Sequence, residues 1–261
     1  MKQDKKPLLG ETRRKKILDL LMEEGSARVA KLSEMFHVSE PTIRQDLEKL
    51  EAEGHIVREH GGAFSKSMPK QVQQLALHHL DHLDKKEAIG RKAAELIEDG
   101  DTIILDAGST TTMIANHLGE KRRLKVMTNA LNIVFIMGQE PSHSIHVTGG
   151  EFKAPTLSLS GEKAGAFFEN MFAQKLFLAV GGLSFEAGLT YPGFNDLHVK
   201  SAMINSAAHI YLVADSSKLG EVSFASLGGI ELVHSLIIDS GLSDADKKRF
   251  EDRGIEVIIA D

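Results

Sequence analysis

The sequence predicts an α/β protein in two parts: a small unit of three helices and a β-hairpin, then a larger domain on a doubly wound, largely parallel sheet. Three observations predict it. Two short amphipathic helices meet across a tight turn between Val29 and Leu50, and a strand-and-turn pattern follows to Ala63. From Lys86 onward, apolar runs of strand length alternate with helical patterns. Residues 65–85 lie between the two and form a connector, so the expected domains are 1–64 and 86–261.

The first helix is expected from about Thr12 to Glu24, where Ile17, Leu18, Leu20 and Leu21 form a helical stripe and Gly25 a stop. The second carries Val29, Leu32, Met35 and Phe36 on one face. His37-Val38 make the turn, Ser39 is placed as N-cap, and Pro41 falls in the first turn of the third helix. That helix packs through Ile43, Leu47 and Leu50, and Gly54 ends it. His55–His60 reads as a strand and Gly61-Gly62 as a hairpin turn. In the connector, Leu75, Leu77, Leu80 and Leu83 suggest a packed stretch.

Seven strand-like runs follow, at Thr102–Asp106, Leu124–Thr128, Ser144–Thr148, Leu176–Val180, Ile210–Ala214, Leu236–Asp239 and Glu256–Ile259. Helical patterns fall at Ile89–Ile97, Met113–Leu118, Leu131–Met137, Val199–Ala208 and Asp244–Arg253.

Composition bounds the setting. The chain has 261 residues, 42% hydrophobic and 26% charged, ordinary for a soluble globular protein. No apolar run reaches bilayer-spanning length, so no membrane partner is expected. The start has no signal-peptide core and the chain has no cysteine, which together point to the cytoplasm and rule out disulfides and thiolate metal sites. Residues 1–60 hold 12 Lys/Arg against 12 Asp/Glu, so the net charge of −6 lies downstream. A neutral module still binds phosphates when its cations share a face.

With Ile43, Leu47 and Leu50 inward, the third helix turns Pro41, Gln45 and Glu48 most directly outward, flanked by Thr42, Arg44 and Lys49. An element of this shape enters the DNA major groove with its N-terminal part on the base edges. Thr42, Arg44 and Gln45 are the candidate base readers, since Arg pairs with guanine and Gln with adenine through two bonds. Lys31, Ser39, Lys49, Arg58 and His60 suit backbone phosphates. A solvated polar face on a helical unit that never touches DNA would carry the same spacing.

A second site is readable downstream. Asp106-Ala107-Gly108-Ser109-Thr110-Thr111-Thr112 follows a strand and opens a helix, so glycine, hydroxyls and free helix amides favour an anion. A plain strand-to-helix turn uses the same residues. Further polar loops end other strands: Thr128-Asn129, Thr148-Gly149-Gly150, Gly181-Gly182 and Asp215-Ser216-Ser217-Lys218. In a parallel sheet such loops converge on one crevice, here suited to a phosphorylated, polyhydroxylated small molecule.

The segment VAKLSEMFHVSEPTIRQDLEKLEAEGHIVREHGGA resembles the winged helix-turn-helix of the DeoR family of bacterial repressors, through Val38-Ser39, Thr42-Ile43-Arg44, Asp46-Leu47, Leu50 and Gly61-Gly62. Many members have a second arginine where this chain has Gln45. The resemblance continues from about Thr12 to the C-terminus through DAGSTTT, TNA, TGG and ADSSK. It implies an effector domain similar in fold to ribose-5-phosphate isomerase, sensing phosphorylated sugars or related metabolites. Carried over by motif, the effector site comprises Asp106, Gly108, Ser109, Thr110, Thr111, Asn129, Gly150, Asp215, Ser217 and Lys218. Asp196 and Lys200 match a family acidic residue, often Glu, and a lysine.

Together these features imply a repressor of a carbohydrate-utilisation operon, acting on a double-stranded operator as at least a homodimer. The alternative is an isomerase-like enzyme with an accessory DNA-binding domain. It lacks support at Gly181-Gly182-Leu183-Ser184, where an isomerase needs closely spaced carboxylates and the first here is Glu186. No cofactor and no metal are expected: His78, His79 and His82 lack the ligand set of a zinc helix. His198 stands between Asp196 and Lys200, and Phe167, Phe168 and Phe172 read as core or subunit contact.

Overall fold

The computed structural model describes residues 10–24, 26–59, 62–65, 82–153 and 156–261. The chain divides into two compact units, Met1–Leu80 and Asp81–Asp261.

In the first unit, α1 (Gly10–Glu24) is followed by β1 (Ser26–Arg28), α2 (Val29–Phe36), α3 (Glu40–Ala52), β2 (Ile56–Glu59) and β3 (Gly62–Ser65). Ile17, Leu21, Val29, Leu32, Ile43, Leu47, Leu50 and Ile56 form its core. Met35 departs from the expected packing face of α2 and is 45% exposed. The helix ends one residue later at Phe36, so only its Val29 and Leu32 positions are fully covered. The wing has three strands rather than two, in the order β1-β3-β2, because Ser26–Arg28 pairs antiparallel with Gly62–Phe64. His37 takes a left-handed conformation (φ 52°) that closes α2 and turns the chain into α3. Ser39 then caps α3, its Oγ accepting from the Thr42 amide at 3.4 Å.

Asp46 is the unexpected core residue of this unit. It lies on the buried face of α3 and meets Arg13 of α1, whose Nε donates to Asp46 Oδ2 at 2.5 Å. Arg14 adds a longer contact at 3.5 Å. A buried carboxylate requires such partners, and here they pin α1 against α3.

The second unit begins with α4 (Leu83–Glu95), β4 (Thr102–Leu105), α5 (Ser109–Asn116), β5 (Lys125–Thr128), α6 (Leu131–Met137) and β6 (Ser144–Val147). A hairpin of β7 (Glu151–Lys153) and β8 (Ser158–Ser160) leads to α7 (Glu162–Ala166) and β9 (Ala173–Ala179). Then come β10 (Gly182–Ser184), β11 (Gly188–Tyr191), α8 (Phe194–Asn205), β12 (Ala207–Val213), β13 (Ala225–Gly228), β14 (Ser235–Asp239), α9 (Asp244–Glu251) and β15 (Glu256–Ala260).

The seven expected strands form one sheet, ordered β15-β14-β12-β9-β4-β5-β6, and every pair in it is parallel. The apolar runs of the interior strands β4, β5, β9 and β14 are continuous because both faces are covered, whereas β6 at the edge is mostly exposed. Ile104, Leu176, Leu178, Leu212 and Leu236 enter one core, while Ile103, Leu105, Phe177 and Ile237 enter the other. Strand order reverses between β4 and β9, so the ends of these two strands bound the switch point where a doubly wound sheet binds ligands. Beyond the expected pattern stand the β7–β8 hairpin, the small antiparallel sheet β10-β11-β13 and the short helix α7.

Candidate functional site

On the first unit, α3 exposes Arg44, Gln45, Glu48 and Lys49 and half-buries Thr42. Gln45 is free to project. Thr42 is tied by its hydroxyl to Ser39 Oγ at 2.9 Å, which fixes its rotamer at the helix start. Arg44 lies against Glu40, one turn back, at 2.7 Å. Arg58 of the wing donates to Glu51 and to Glu48, each at 3.0 Å, and to the Arg44 carbonyl at 3.3 Å. Glu48 and the charge of Glu51 hold the Arg58 guanidinium above its ordinary pKa. Both arginines are therefore paired with carboxylates. Lys31 is exposed on α2. His60 lies outside the described residues, as do His78, His79, Leu75, Leu77 and Leu80 of the connector.

In the second unit the switch point is built around Asp106, which is 0% exposed. Its carboxylate accepts from the Ala107 amide at 2.8 Å, the Ala179 amide at 3.1 Å and Lys200 Nζ at 2.5 Å. The same residue's amide donates to the Phe177 carbonyl at 3.2 Å, so Asp106 clips the end of β4 to the end of β9. Complete burial pushes its carboxyl above the usual range, opposed by Lys200 and by the two amides. Lys200 comes from α8 and stacks its ammonium 4.7 Å from the Tyr191 ring. Tyr191 in turn donates to the Ala179 carbonyl at 2.8 Å, and burial drives its phenol well above its ordinary pKa.

Asn129, after β5, joins this network: its Oδ1 accepts from the Ala107 amide at 3.0 Å and its Nδ2 donates to the Leu159 carbonyl at 3.2 Å. Gly108 then opens α5. A Cβ there would stand 2.7 Å from Ala179 Cβ, so glycine lets the helix start close to β9. The first helical bond of α5 runs from the Thr112 amide to the Gly108 carbonyl at 3.0 Å. The amides of Ser109, Thr110 and Thr111 precede it and have no helical acceptor. Ser109 is half-exposed, whereas Thr110 and Thr111 are buried and Thr111 Oγ1 donates back to Gly108 at 2.9 Å. The more open part of this turn is Ala107, Gly108 and Ser109, each half-buried.

The remaining candidates divide in the same way. Asp215 is buried and caps a short turn, accepting from the Ser217 amide at 3.1 Å and from the Ser217 hydroxyl. Ser217 is exposed and Lys218 half-buried, with no ion pair to Lys218 among the described residues. Asp196 pairs with Lys153 of β7 at 2.7 Å, a partner no sequence pattern pointed to. Gly150 (φ 120°) backs onto the Ser160 carbonyl and admits no side chain. No hydrogen bond joins Gly150 or the Ser217–Lys218 turn to the Asp106 network among the described residues. His198 is exposed on α8. Phe168 is core, while Phe172 is 84% exposed. No group of three or more His, Asp or Glu among the described residues is arranged to hold a metal, and no described helix is long and apolar enough to cross a membrane.

Residues 13–68 match the DeoR-like helix-turn-helix domain, and residues 81–240 match the DeoR C-terminal sensor domain. The chain belongs to the DeoR family. Relatives align over almost their whole length. The lactose phosphotransferase system repressor of Streptococcus mutans is 33% identical over 252 residues, 95% of this chain and 98% of that one. The regulator GlpR of Haloferax volcanii is 31% identical over 251 residues, 96% and 98% of the two chains. YulB of Bacillus subtilis, named as an uncharacterized transcriptional regulator, is 34% identical over 245 residues, 94% and 95%. Ribose 5-phosphate isomerase A of Methanocaldococcus jannaschii superposes with 15% identity and a TM-score of 0.38, over 52% of this chain and 54% of that one, too distant to bear on activity. As a DeoR family member with a helix-turn-helix, the chain is a transcriptional regulator.

Proposed function

We propose that this regulator represses a carbohydrate-utilisation operon and that a phosphorylated sugar or sugar-acid metabolite, bound at the carboxyl ends of the parallel strands, sets its operator affinity. The observation that carries the reading is the switch point itself. An accessible helix start at Gly108–Ser109 is held rigidly by Asp106, Asn129 and Lys200, on a chain that also presents a recognition helix. The phosphate would sit on the α5 amides, and Ser217 and Lys218 would contribute a hydroxyl and a cation from the next loop but one. Asp106, Asp215 and Lys200 would act by shaping the site, since their charges are already engaged. A relative named as the lactose phosphotransferase system repressor supports the carbohydrate assignment, and another is named as a putative aga operon transcriptional repressor.

On the DNA side, Thr42, Arg44 and Gln45 would read bases while Lys31, Ser39, Lys49, Arg58 and His60 contact phosphates. A unit with no net positive charge gains little from non-specific attraction, so at least a dimer would be needed to engage two half-sites. The exposed Phe135, Phe172, Phe194 and Phe224 support a subunit contact.

The isomerase alternative finds no support in its key loop. Glu186 is well exposed and faces Arg249 at 3.7 Å, so it lies in solvent rather than in a closed proton-transfer site. A thermal-shift screen of sugar phosphates and sugar-acid phosphates on the full chain tests the proposal. A true ligand raises the sensor-domain transition in proportion to the logarithm of its concentration. If no phosphorylated sugar does so, or if pentose phosphates are turned over, the proposal is wrong.

A further inference from the structure

The turn that carries Ser217 and Lys218 is bonded to the start of the sensor domain. Lys85, in the first turn of α4, donates from Nζ to Ser216 Oγ at 2.7 Å and lies 3.1 Å from Asp239 Oδ2. Asp239 closes β14 and also accepts from the Ser216 amide at 2.6 Å, the Ser216 hydroxyl at 2.9 Å and the Gly241 amide at 3.0 Å. A Cβ on Gly241 would strike both Ser216 Oγ and Asp239 Oδ2, so the close approach depends on glycine. Three segments distant in sequence thus meet on one buried carboxylate.

This divides the turn into two halves. Ser216 commits its amide and hydroxyl inward, while Ser217 is exposed and Lys218 is half-buried with its ammonium unpaired among the described residues. One 3-10 turn, Ser216–Lys218, contains both halves, so displacement of its outer residues carries Ser216 with it. At the other end, Lys85 stands three residues after His82, which takes a left-handed conformation (φ 53°) unusual for a residue with a side chain. Whatever orients the first turn of α4 therefore sets the direction in which the chain enters the sensor domain.

We propose that Lys85 and Ser216 are positioning residues that couple the effector turn to the entry of α4, so that an anion bound at Ser217–Lys218 is read where the chain arrives from the DNA-binding unit. The proposal rests on the effector site described above. Hydrogen exchange of the full chain, followed by mass spectrometry, tests it without knowledge of the natural ligand. Ser216→Ala is expected to speed exchange at least fivefold at residues 86–90 as well as at 216–221. Lys85→Met is expected to speed exchange at 216–221 as well as at 86–90, and Lys85→Arg to return both segments to within twofold of wild type. With 20 mM inorganic phosphate as probe, wild type gains protection in both segments and Lys85→Met only in the turn. Changes confined to the substituted element, or uniform acceleration that includes β4 and β9, overturn the coupling. If phosphate and the sugar phosphates protect neither segment of the wild type while the ligand-free cross-effects persist, the effector reading fails and the coupling stands.

Discussion

Replacing Lys200 by Met removes the cation from a carboxylate that has no exposure to water, Asp106, while nearly preserving side-chain volume. Breaking a buried pair from one side costs about 3–5 kcal/mol. Protonation of Asp106 sets a ceiling on that loss. Keeping neutral a carboxyl whose unfolded pKa is about 3.9 costs about 1.4 kcal/mol per pH unit above that value, hence about 4 kcal/mol at pH 7 and about 1.5 kcal/mol at pH 5. The sign follows from linkage. Without Lys200 the folded pKa rises further above the unfolded one, so the native state holds a proton that the unfolded state releases, and stability falls as pH rises through that interval. For a domain of this size each kcal/mol moves the midpoint by about 2–4 °C. Calorimetry of the full chain should show the sensor-domain transition lowered by at most about 8–16 °C at pH 7 and by at most about 3–6 °C at pH 5, the drop being larger at pH 7. An equal drop at both pH values would refute the charge account and assign Lys200 a packing role on Tyr191.

Three further outcomes are expected. Gln45→Ala should relax base preference at one operator position by about 1–3 kcal/mol while leaving the salt dependence of binding nearly unchanged, measured on single-base variants of a DNA selected by the full chain. Asp46→Asn leaves Arg13 buried against a neutral partner and should lower the transition of the DNA-binding unit, with the sensor-domain transition unmoved in the same scan. Lys218→Ala should bind that DNA as wild type does yet lose its response to the ligand found by thermal shift. Loss of DNA binding as well would make Lys218 structural.

Much of this was legible in the sequence, for physical reasons. Interior parallel strands such as β4, β9 and β14 are covered on both faces, so their apolar runs are continuous and legible, whereas the edge strand β6 is mostly exposed and its run is mixed. Ser39, Pro41 and the Ile43-Leu47-Leu50 spacing marked α3 because capping and periodicity are local signals. Pairings made across long separations left no such trace. Ser26–Arg28 is three residues long and becomes a strand only beside β3. Lys153 reaches Asp196, and Lys200 reaches Asp106, through tertiary contact alone. Asp46 could have been found, since it lies three residues after Ile43 and four before Leu50, on the apolar face. Candidate site residues were recognisable by type, but not which of them were already engaged. Asp106, Asp215 and Lys200 turn inward, and Ser109, Ser217 and Lys218 are left more open.

The central claim is that ligand and operator binding are linked in one chain. Isothermal titration of the thermal-shift ligand into the free chain, and into the chain saturated with its selected DNA, tests it most directly. Linkage requires the ligand's Kd to change on DNA binding by the same factor that the ligand changes the DNA's Kd, a factor of about 5–150 for ordinary couplings. Equal ligand affinities in the two titrations, with both ligand and DNA bound, would contradict it.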